Sequence, residues 1–178
     1  MHYLLRLVSV LAWALWLGGL IALFLFVTVL FKEERSTAVV AAPLMFARFE
    51  RFQLLLAAVA LLAVGGLRLI EPRAIHSVVF TFFAVATLAL VVSATLIRPK
   101  MERLRVAGES SGPQFRQMHG QSMALYSLQA AALALAGLFI PAAMNRPQVK
   151  PTAAPPTPQP TPRPQTTPPV APPTAPPA

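Results

Sequence analysis

Four long stretches without a charged residue dominate this sequence and restrict what it can fold into. They cover residues 7–31, 52–67, 74–97 and 120–144. A helix needs roughly 20 apolar residues to cross the hydrocarbon core of a bilayer. The second stretch is short, but the Arg68 guanidinium can extend toward the membrane surface. The helix can therefore continue to residue 70. We therefore predict an all-α integral membrane protein, a four-transmembrane-helix bundle with helices at about 5–31, 50–70, 74–97 and 119–141.

The composition agrees with a lipid environment. Only 12% of the residues are charged, against 56% that are hydrophobic, whereas a soluble domain carries roughly 25% charged residues. The net charge of +9 comes from basic residues at the ends of the apolar stretches. Lys and Arg in such places contact lipid headgroups. The lipid bilayer is thus a predicted partner, and nucleic acid is not.

The distribution of basic residues predicts how the chain crosses the membrane. Nine Lys and Arg residues lie in the two longer loops, between helices one and two and between helices three and four, and six lie on the other side. The positive-inside rule places the richer side in the cytoplasm. We therefore expect a multi-pass protein of the bacterial inner (plasma) membrane with both termini outside, in the periplasm.

The last 34 residues have a different composition from the rest of the chain. Residues 145–178 are mainly Pro, Thr and Ala, which cannot bury a core. We predict a four-helix transmembrane domain over residues 1–144 followed by a disordered Pro-rich tail over residues 145–178.

Several kinds of catalytic site are excluded by residue type. The chain has no Cys and no Asp, so thiolate metal sites and a Ser-His-Asp triad cannot be built. We predict no catalytic residue. The six Glu residues are expected in loops or at helix ends, which argues against an ion-coupled transporter because such proteins use an acid at membrane depth. They are Glu33, Glu34, Glu50, Glu71, Glu102 and Glu109.

A polar face is predicted on the fourth helix. His119, Ser122, Tyr126 and Gln129 follow the helical repeat and so share one side. Polar groups in a membrane helix turn toward the bundle interior or a wet cavity. Two interpretations remain open, namely hydrogen bonding between helices, at about 0.6 kcal/mol per contact, and a site that binds a ligand or handles protons.

A metal site is a further alternative at the start of this helix. His119 lies close in sequence to Met118 and Met123, and thioether sulfur with imidazole suits Cu(I). Met is also a common filler of packing gaps. Our first expectation is a protein without a cofactor, with copper or haem as the alternative.

The first helix carries a strip of small residues. Ala14, Gly18 and Ala22 recur every four residues, a pattern that lets another helix approach closely, while Trp16 lies on a neighbouring face. The sequence leaves open whether this strip packs within the chain or against another chain. A homo-oligomer or an envelope protein is therefore an expected partner.

Four motifs carry a resemblance to a known family. Phe115–Met123 resembles the F-x-x-x-H-G-x-S-M signature of the transmembrane protein 205-like family, whose bacterial members form a domain of unknown function of the DUF4149 type. The other motifs, in the family's order, are Trp16–Gly19, Ala42–Phe46 and Arg98–Met101. Arg116 departs from the family, because many relatives have a histidine there. The resemblance covers about residues 5–140.

The resemblance implies a four-helix membrane protein without an established activity. The family is also distantly similar to copper-resistance D-type and haem-handling bundles, which favours the metal alternative. We expect a non-enzymatic bundle with an interaction, structural or transport-accessory role in the envelope. The alternative is a copper- or haem-handling protein that uses His119 and nearby Met residues.

Overall fold

A computed structural model describes residues 2–145 of the chain, and no β-strand occurs within that range. The predicted tail lies outside it, except for Asn145. Five α-helices and one π-helical turn make up the fold. They are α1 (His2–Glu33), α2 (Arg35–Ile70), α3 (Ala74–Val92), the π turn (Ser93–Ile97), α4 (Arg98–Val106) and α5 (Pro113–Met144).

Four helical rods are long and apolar enough to cross a membrane: α1, α2, the continuous rod Ala74–Val106, and α5. The predicted four-helix membrane fold is therefore confirmed. α1 packs mainly on α2 and α3 mainly on α5, while α2 and α3 join the two pairs. The close approach of Gly66 to Leu5 and of Gly19 to Phe49 shows that α1 and α2 run antiparallel.

The loop expected between the first two helices is helical. Only Glu34 separates α1 from α2, and Pro43 lies inside α2. Residues 35–49 lack a long apolar run, so their sequence did not indicate a spanning helix. They nevertheless present Ala42 and its apolar neighbours to Leu23 and Val27 of α1, and this packing stabilises the extension.

The fourth predicted helix also extends further than expected. Pro141 was expected to mark its end but lies within α5, which continues to Met144. The terminal carbonyl groups of α5 accept hydrogen bonds from Arg6 and Arg73, and His76 Nε2 lies 3.1 Å from the Ala143 carbonyl oxygen. These donors replace the backbone partners that the end of a helix lacks.

Three helices bury residues at alternating steps of three and four. This heptad-like spacing is typical of helices that cross at about 20°. On each helix, polar residues occupy one end of the buried face or both, and apolar residues occupy its middle. The buried faces are Glu50, Gln53, Ala57, Ala60, Val64 and Leu67 on α2; His76, Val79, Phe83, Ala86, Leu90 and Ser93 on α3; and Tyr126, Gln129, Leu133, Ala136, Ile140 and Ala143 on α5.

The π turn interrupts the rod formed by α3 and α4. The Arg98 N–H donates to the Ser93 carbonyl, five residues earlier. Pro99 follows, and its ring has no N–H to donate and would clash with the carbonyl of Thr95 in a regular α-helix. The wider π turn accommodates this proline. It also determines the direction in which the Arg98 side chain projects.

Candidate functional site

A buried carboxylate lies inside the bundle. Arg98 Nη1 is 2.5 Å from Glu50 Oε2, and the Tyr126 hydroxyl donates to Glu50 Oε1 over 3.1 Å. The Glu50 side chain is 4% exposed and the Arg98 side chain 40%. The prediction that every Glu lies in a loop or at a helix end was therefore wrong for Glu50. Its partners come from distant parts of the sequence and neutralise a charge that could not otherwise be buried.

A second polar layer lies one helical turn further into the bundle. Gln129 Nε2 donates to Gln53 Oε1 over 2.7 Å, and both side chains are almost fully buried. Gln53 Nε2 and the indole Nε1 of Trp16 are also buried, and within residues 2–145 neither has a hydrogen-bond acceptor. We call Glu50, Arg98, Tyr126, Gln53, Gln129 and Trp16 the polar centre.

Aromatic rings cover one side of the polar centre. The Tyr126 ring contacts Phe24 and Phe46 at centroid distances of 5.8 and 5.4 Å, and these two phenylalanines contact each other at 5.7 Å. The two phenylalanine rings thus pack against the tyrosine that donates a hydrogen bond to Glu50, whose side chain is only 4% exposed. A low local dielectric strengthens the ion pair and raises the cost of leaving either partner alone.

The predicted polar face of α5 divides into two parts. Tyr126 and Gln129 are buried in the polar centre, whereas Ser122 is half-buried and His119 is exposed. The His119 ring stacks on Phe115 with centroids 6.5 Å apart. The structure thus brings only the second half of the predicted face to the bundle interior.

The predicted metal ligands are not gathered around a buried site. Met123 is 37% exposed, Met118 is half-buried, and His119 lies on the surface. Within residues 2–145, no three His, Cys, Asp or Glu side chains come close enough to hold a metal ion. Ligation by Met is untested by this observation, and the copper or haem alternative stays a prediction.

The small-residue strip of α1 faces away from the bundle. Ala14 and Gly18 are exposed, Ala22 is half-buried, and a Cβ added to Gly18 would have nothing within 4 Å. Trp16, on the opposite side, is fully buried and packs beside Phe83. Within residues 2–145, Ala14 and Gly18 of the strip are therefore left without a packed neighbouring helix.

A different polar cluster occupies the far end of the bundle, about 30 Å away at 1.5 Å per helical residue. The Glu71 carboxylate contacts Arg6 Nη2 at 2.8 Å and His2 Nδ1 at 2.9 Å. Burial raises the pKa of Glu71, but the hydrogen bond and charge of Arg6 and the charges of His2 and His76 outweigh it. The pKa of Glu71 therefore lies below its ordinary value of 4.5.

The buried His76 ring lies between two carbonyl oxygens. Its Nδ1 is 2.8 Å from the Glu71 carbonyl oxygen and its Nε2 is 3.1 Å from that of Ala143. A neutral imidazole donates from only one nitrogen, whereas an imidazolium donates from both. Arg6 and Arg73 place positive charge at the C-terminus of α5, where it is favourable. This arrangement joins the ends of the helices and accounts for the cluster as a structural element.

The chain matches the family described as Domain of unknown function (DUF4149) over residues 11–110. It belongs to this family. No curated protein and no solved structure matches the chain. The DUF4149 match includes Trp16, Glu50, Gln53 and Arg98 of the polar centre. It ends before Tyr126 and Gln129 and before the signature of the predicted transmembrane protein 205-like resemblance.

Sequence reasoning missed Glu50 and Gln53 within the DUF4149 match. Both continue the spacing of three and four residues that ends at Leu67, and the same spacing did identify Tyr126 and Gln129. The spacing was not recognised around Glu50 because Arg48 and Arg51 lie beside it. Three charged residues within four positions are typical of a loop. Arg98 was noted only as part of the Arg98–Met101 motif, and its pairing could not be predicted, since it depends on the π turn that directs the side chain toward Glu50.

Proposed function

We propose that this protein is a non-enzymatic bundle of the bacterial inner membrane that acts by binding, in an interaction or transport-accessory role. The observation that carries the proposal is the polar centre, in which the buried N–H donors of Gln53 and Trp16 remain unused and Gln53 lies one helical turn from the ion-paired carboxylate of Glu50. Binding of a small polar molecule would occupy these donors without any bond being made or broken.

The energetics of the polar centre favour a binding role over a purely structural one. A buried carboxylate such as Glu50, even when it is paired with a cation, often adds no stability compared with an apolar side chain of the same size. Ionisable groups inside membrane proteins are costly and commonly belong to functional sites. Each donor without an acceptor costs about 1–3 kcal/mol more. If the only role of these positions were to stabilise the fold, apolar residues would give a more stable bundle.

The unused donors indicate the kind of ligand. Gln53 Nε2 and Trp16 Nε1 are neutral N–H groups on two different helices, and both require an acceptor such as a carbonyl, hydroxyl or carboxylate oxygen. Arg98 adds a cation that is partly accessible from outside. A small molecule with hydrogen-bond-accepting oxygen atoms fits this combination. A single buried water molecule is the competing occupant.

Two tryptophan variants test this proposal. Trp16→Phe removes an indole N–H that has no acceptor, whereas Trp13→Phe removes one that already donates to the Leu133 carbonyl over 2.8 Å. Both variants delete the same atoms from α1. The measurement is native mass spectrometry of protein released directly from membranes, with and without delipidation.

We expect the wild type and Trp13→Phe to carry a small non-lipid adduct that Trp16→Phe and Gln53→Met lose. A wild-type protein without such an adduct, together with a Gln53→Met variant that is more stable than the wild type, would show that the polar centre only holds the helices together. That result would overturn the proposal.

A further inference from the structure

A groove opens on the outside of the bundle where α2 ends and α3 begins. Its volume is about 750 Å³. Apolar side chains line most of it, and the exposure of Leu62 and Leu69, at 76% and 86%, shows that it faces the surroundings of the bundle. Gly65 contributes no side chain, and a Cβ added there would lie 3.6 Å from the Phe80 ring. A larger residue at position 65 would fill the groove.

Two guanidinium groups lie at this groove. Arg68 is exposed and its guanidinium carbon is 5.9 Å from the centre of the Phe80 ring. Arg73 donates to the carbonyl groups of Ala142, Ala143 and Asn145, which carry no net charge. Neither arginine forms an ion pair with a carboxylate in the described part of the chain.

Within residues 2–145, the other acidic side chains are either already paired or lie toward the opposite end of the bundle from these arginines. Glu71, the nearest in sequence, already pairs with Arg6 and His2. Glu50 lies about 30 Å from this end of α2 at 1.5 Å per residue, and no acidic residue follows Glu109 in the sequence. The groove therefore combines an apolar floor with two unneutralised positive charges at one end.

We propose that this groove binds one anionic phospholipid. The headgroup phosphate contacts Arg68 and Arg73, and an acyl chain lies along Leu61, Gly65 and Phe80. Guanidinium groups bind phosphate through paired, charge-assisted hydrogen bonds. A zwitterionic lipid fits less well because its own cation competes for the phosphate and adds positive charge. The site is separate from the polar centre and does not depend on the function proposed for it.

Two charge variants on α2, one at the groove and one far from it, provide a matched test. Arg68→Gln removes a positive charge at the groove, and Arg51→Gln removes one from an exposed position near the middle of the same helix, about 25 Å away at 1.5 Å per residue. Gly65→Leu fills the groove without a change of charge. Delipidated protein is titrated with phosphatidylglycerol or phosphatidylcholine of identical acyl chains, and binding is followed by native mass spectrometry and thermal stability.

We expect phosphatidylglycerol to bind more tightly than phosphatidylcholine and to raise the melting temperature more. Arg68→Gln should weaken phosphatidylglycerol binding about fivefold, in line with the usual contribution of one arginine at a membrane surface. Gly65→Leu should weaken the binding of both lipids, and Arg51→Gln should leave it unchanged.

Four results would overturn the proposal. Equal affinity for the two lipids would show that the lipid charge is not recognised. Equal losses of phosphatidylglycerol affinity in Arg68→Gln and Arg51→Gln would show a general effect of surface charge. Stabilisation by glycerol phosphate alone, to the same extent as by phosphatidylglycerol, would identify an anion site without a lipid chain. Normal phosphatidylglycerol binding by Gly65→Leu would also exclude the groove.

Discussion

The Tyr126 hydroxyl on α5 donates to Glu50 on α2 over 3.1 Å, while Arg98 holds the other carboxylate oxygen. Three helical rods thus meet at one buried carboxylate. The two members of the ion pair differ tenfold in side-chain exposure, at 4% for Glu50 and 40% for Arg98. This difference makes the pair asymmetric, because only the arginine can turn to solvent when its partner is lost.

Removal of Arg98 should therefore destabilise the protein more than removal of Glu50. Arg98→Met leaves a buried carboxylate without its cation and should cost about 3 kcal/mol. Glu50→Met leaves an arginine that can reach water and a tyrosine hydroxyl without its acceptor, at a cost of about 1–2 kcal/mol. Denaturant unfolding in detergent measures both values. A larger loss for Glu50→Met would contradict the asymmetry.

The second polar layer, formed by Gln53 and Gln129, gives a second prediction. Gln129→Leu leaves the buried Gln53 amide oxygen without its donor and should lower the free energy of unfolding by about 1–3 kcal/mol. Leu128→Ala, at a neighbouring residue that is 49% exposed, should cost clearly less. Thermal unfolding of the two variants in the same detergent is the measurement. Equal losses would mean that Gln129 does not face the interior.

Two glycines of α5 should respond oppositely to alanine. A Cβ at Gly137 would overlap the Trp13 ring, which is held in place by the bond to the Leu133 carbonyl. Gly137→Ala should therefore destabilise by about 1–3 kcal/mol. A Cβ at Gly120 meets nothing within 4 Å, so Gly120→Ala should stabilise the helix by up to about 1 kcal/mol. If Gly137→Ala and Gly120→Ala shift the melting temperature in the same direction, the close packing of Gly137 against Trp13 is wrong.

The cluster around Glu71 should make stability depend on pH. Its pKa is lower in the folded protein than the ordinary 4.5. A group with a depressed folded pKa stabilises the fold above its unfolded pKa, and this contribution disappears as the pH falls through the folded value. Glu71→Gln should therefore melt at a lower temperature than the wild type at pH 7.

The difference between wild type and Glu71→Gln should shrink as the pH is lowered below 4.5. Glu109→Gln, at an exposed position, serves as the control and should follow the wild-type melting curve. A Glu71→Gln difference that stays constant down to pH 3 would show that the charge of Glu71 makes no contribution.

Contact between chains can be tested with single cysteines, because the chain has none of its own. If α1 meets a second copy through its small-residue strip, Gly18→Cys should form a disulfide-linked dimer in membranes under mild oxidation. Leu135→Cys, on an outward position of α5 that is 43% exposed, should not. Equal cross-linking of the two variants would indicate random collisions, and no dimer in either would exclude this symmetric contact.

The sequence predicted those features that follow from long apolar runs and from short-range spacing. Four membrane-spanning helices and the inward position of Tyr126 and Gln129 belong to this group. Composition could not decide whether residues 35–49 continue the second helix, because that continuation depends on packing against α1. The burial of Glu50 was missed for a related reason, since a carboxylate is buried only when a distant cation is brought to it.

The π turn has a consequence for the phase of the helix that carries Arg98. The buried face of α3 steps through Leu90 and Ser93, and a regular repeat would next reach Ile97. Arg98 comes one residue late in that count. The π turn contains one more residue than an α-helical turn and so rotates the segment that follows. Arg98 therefore occupies the inward-facing position that Ile97 would have in a regular α-helix. The pairing with Glu50 thus depends on the length of the segment as much as on the identity of the side chain.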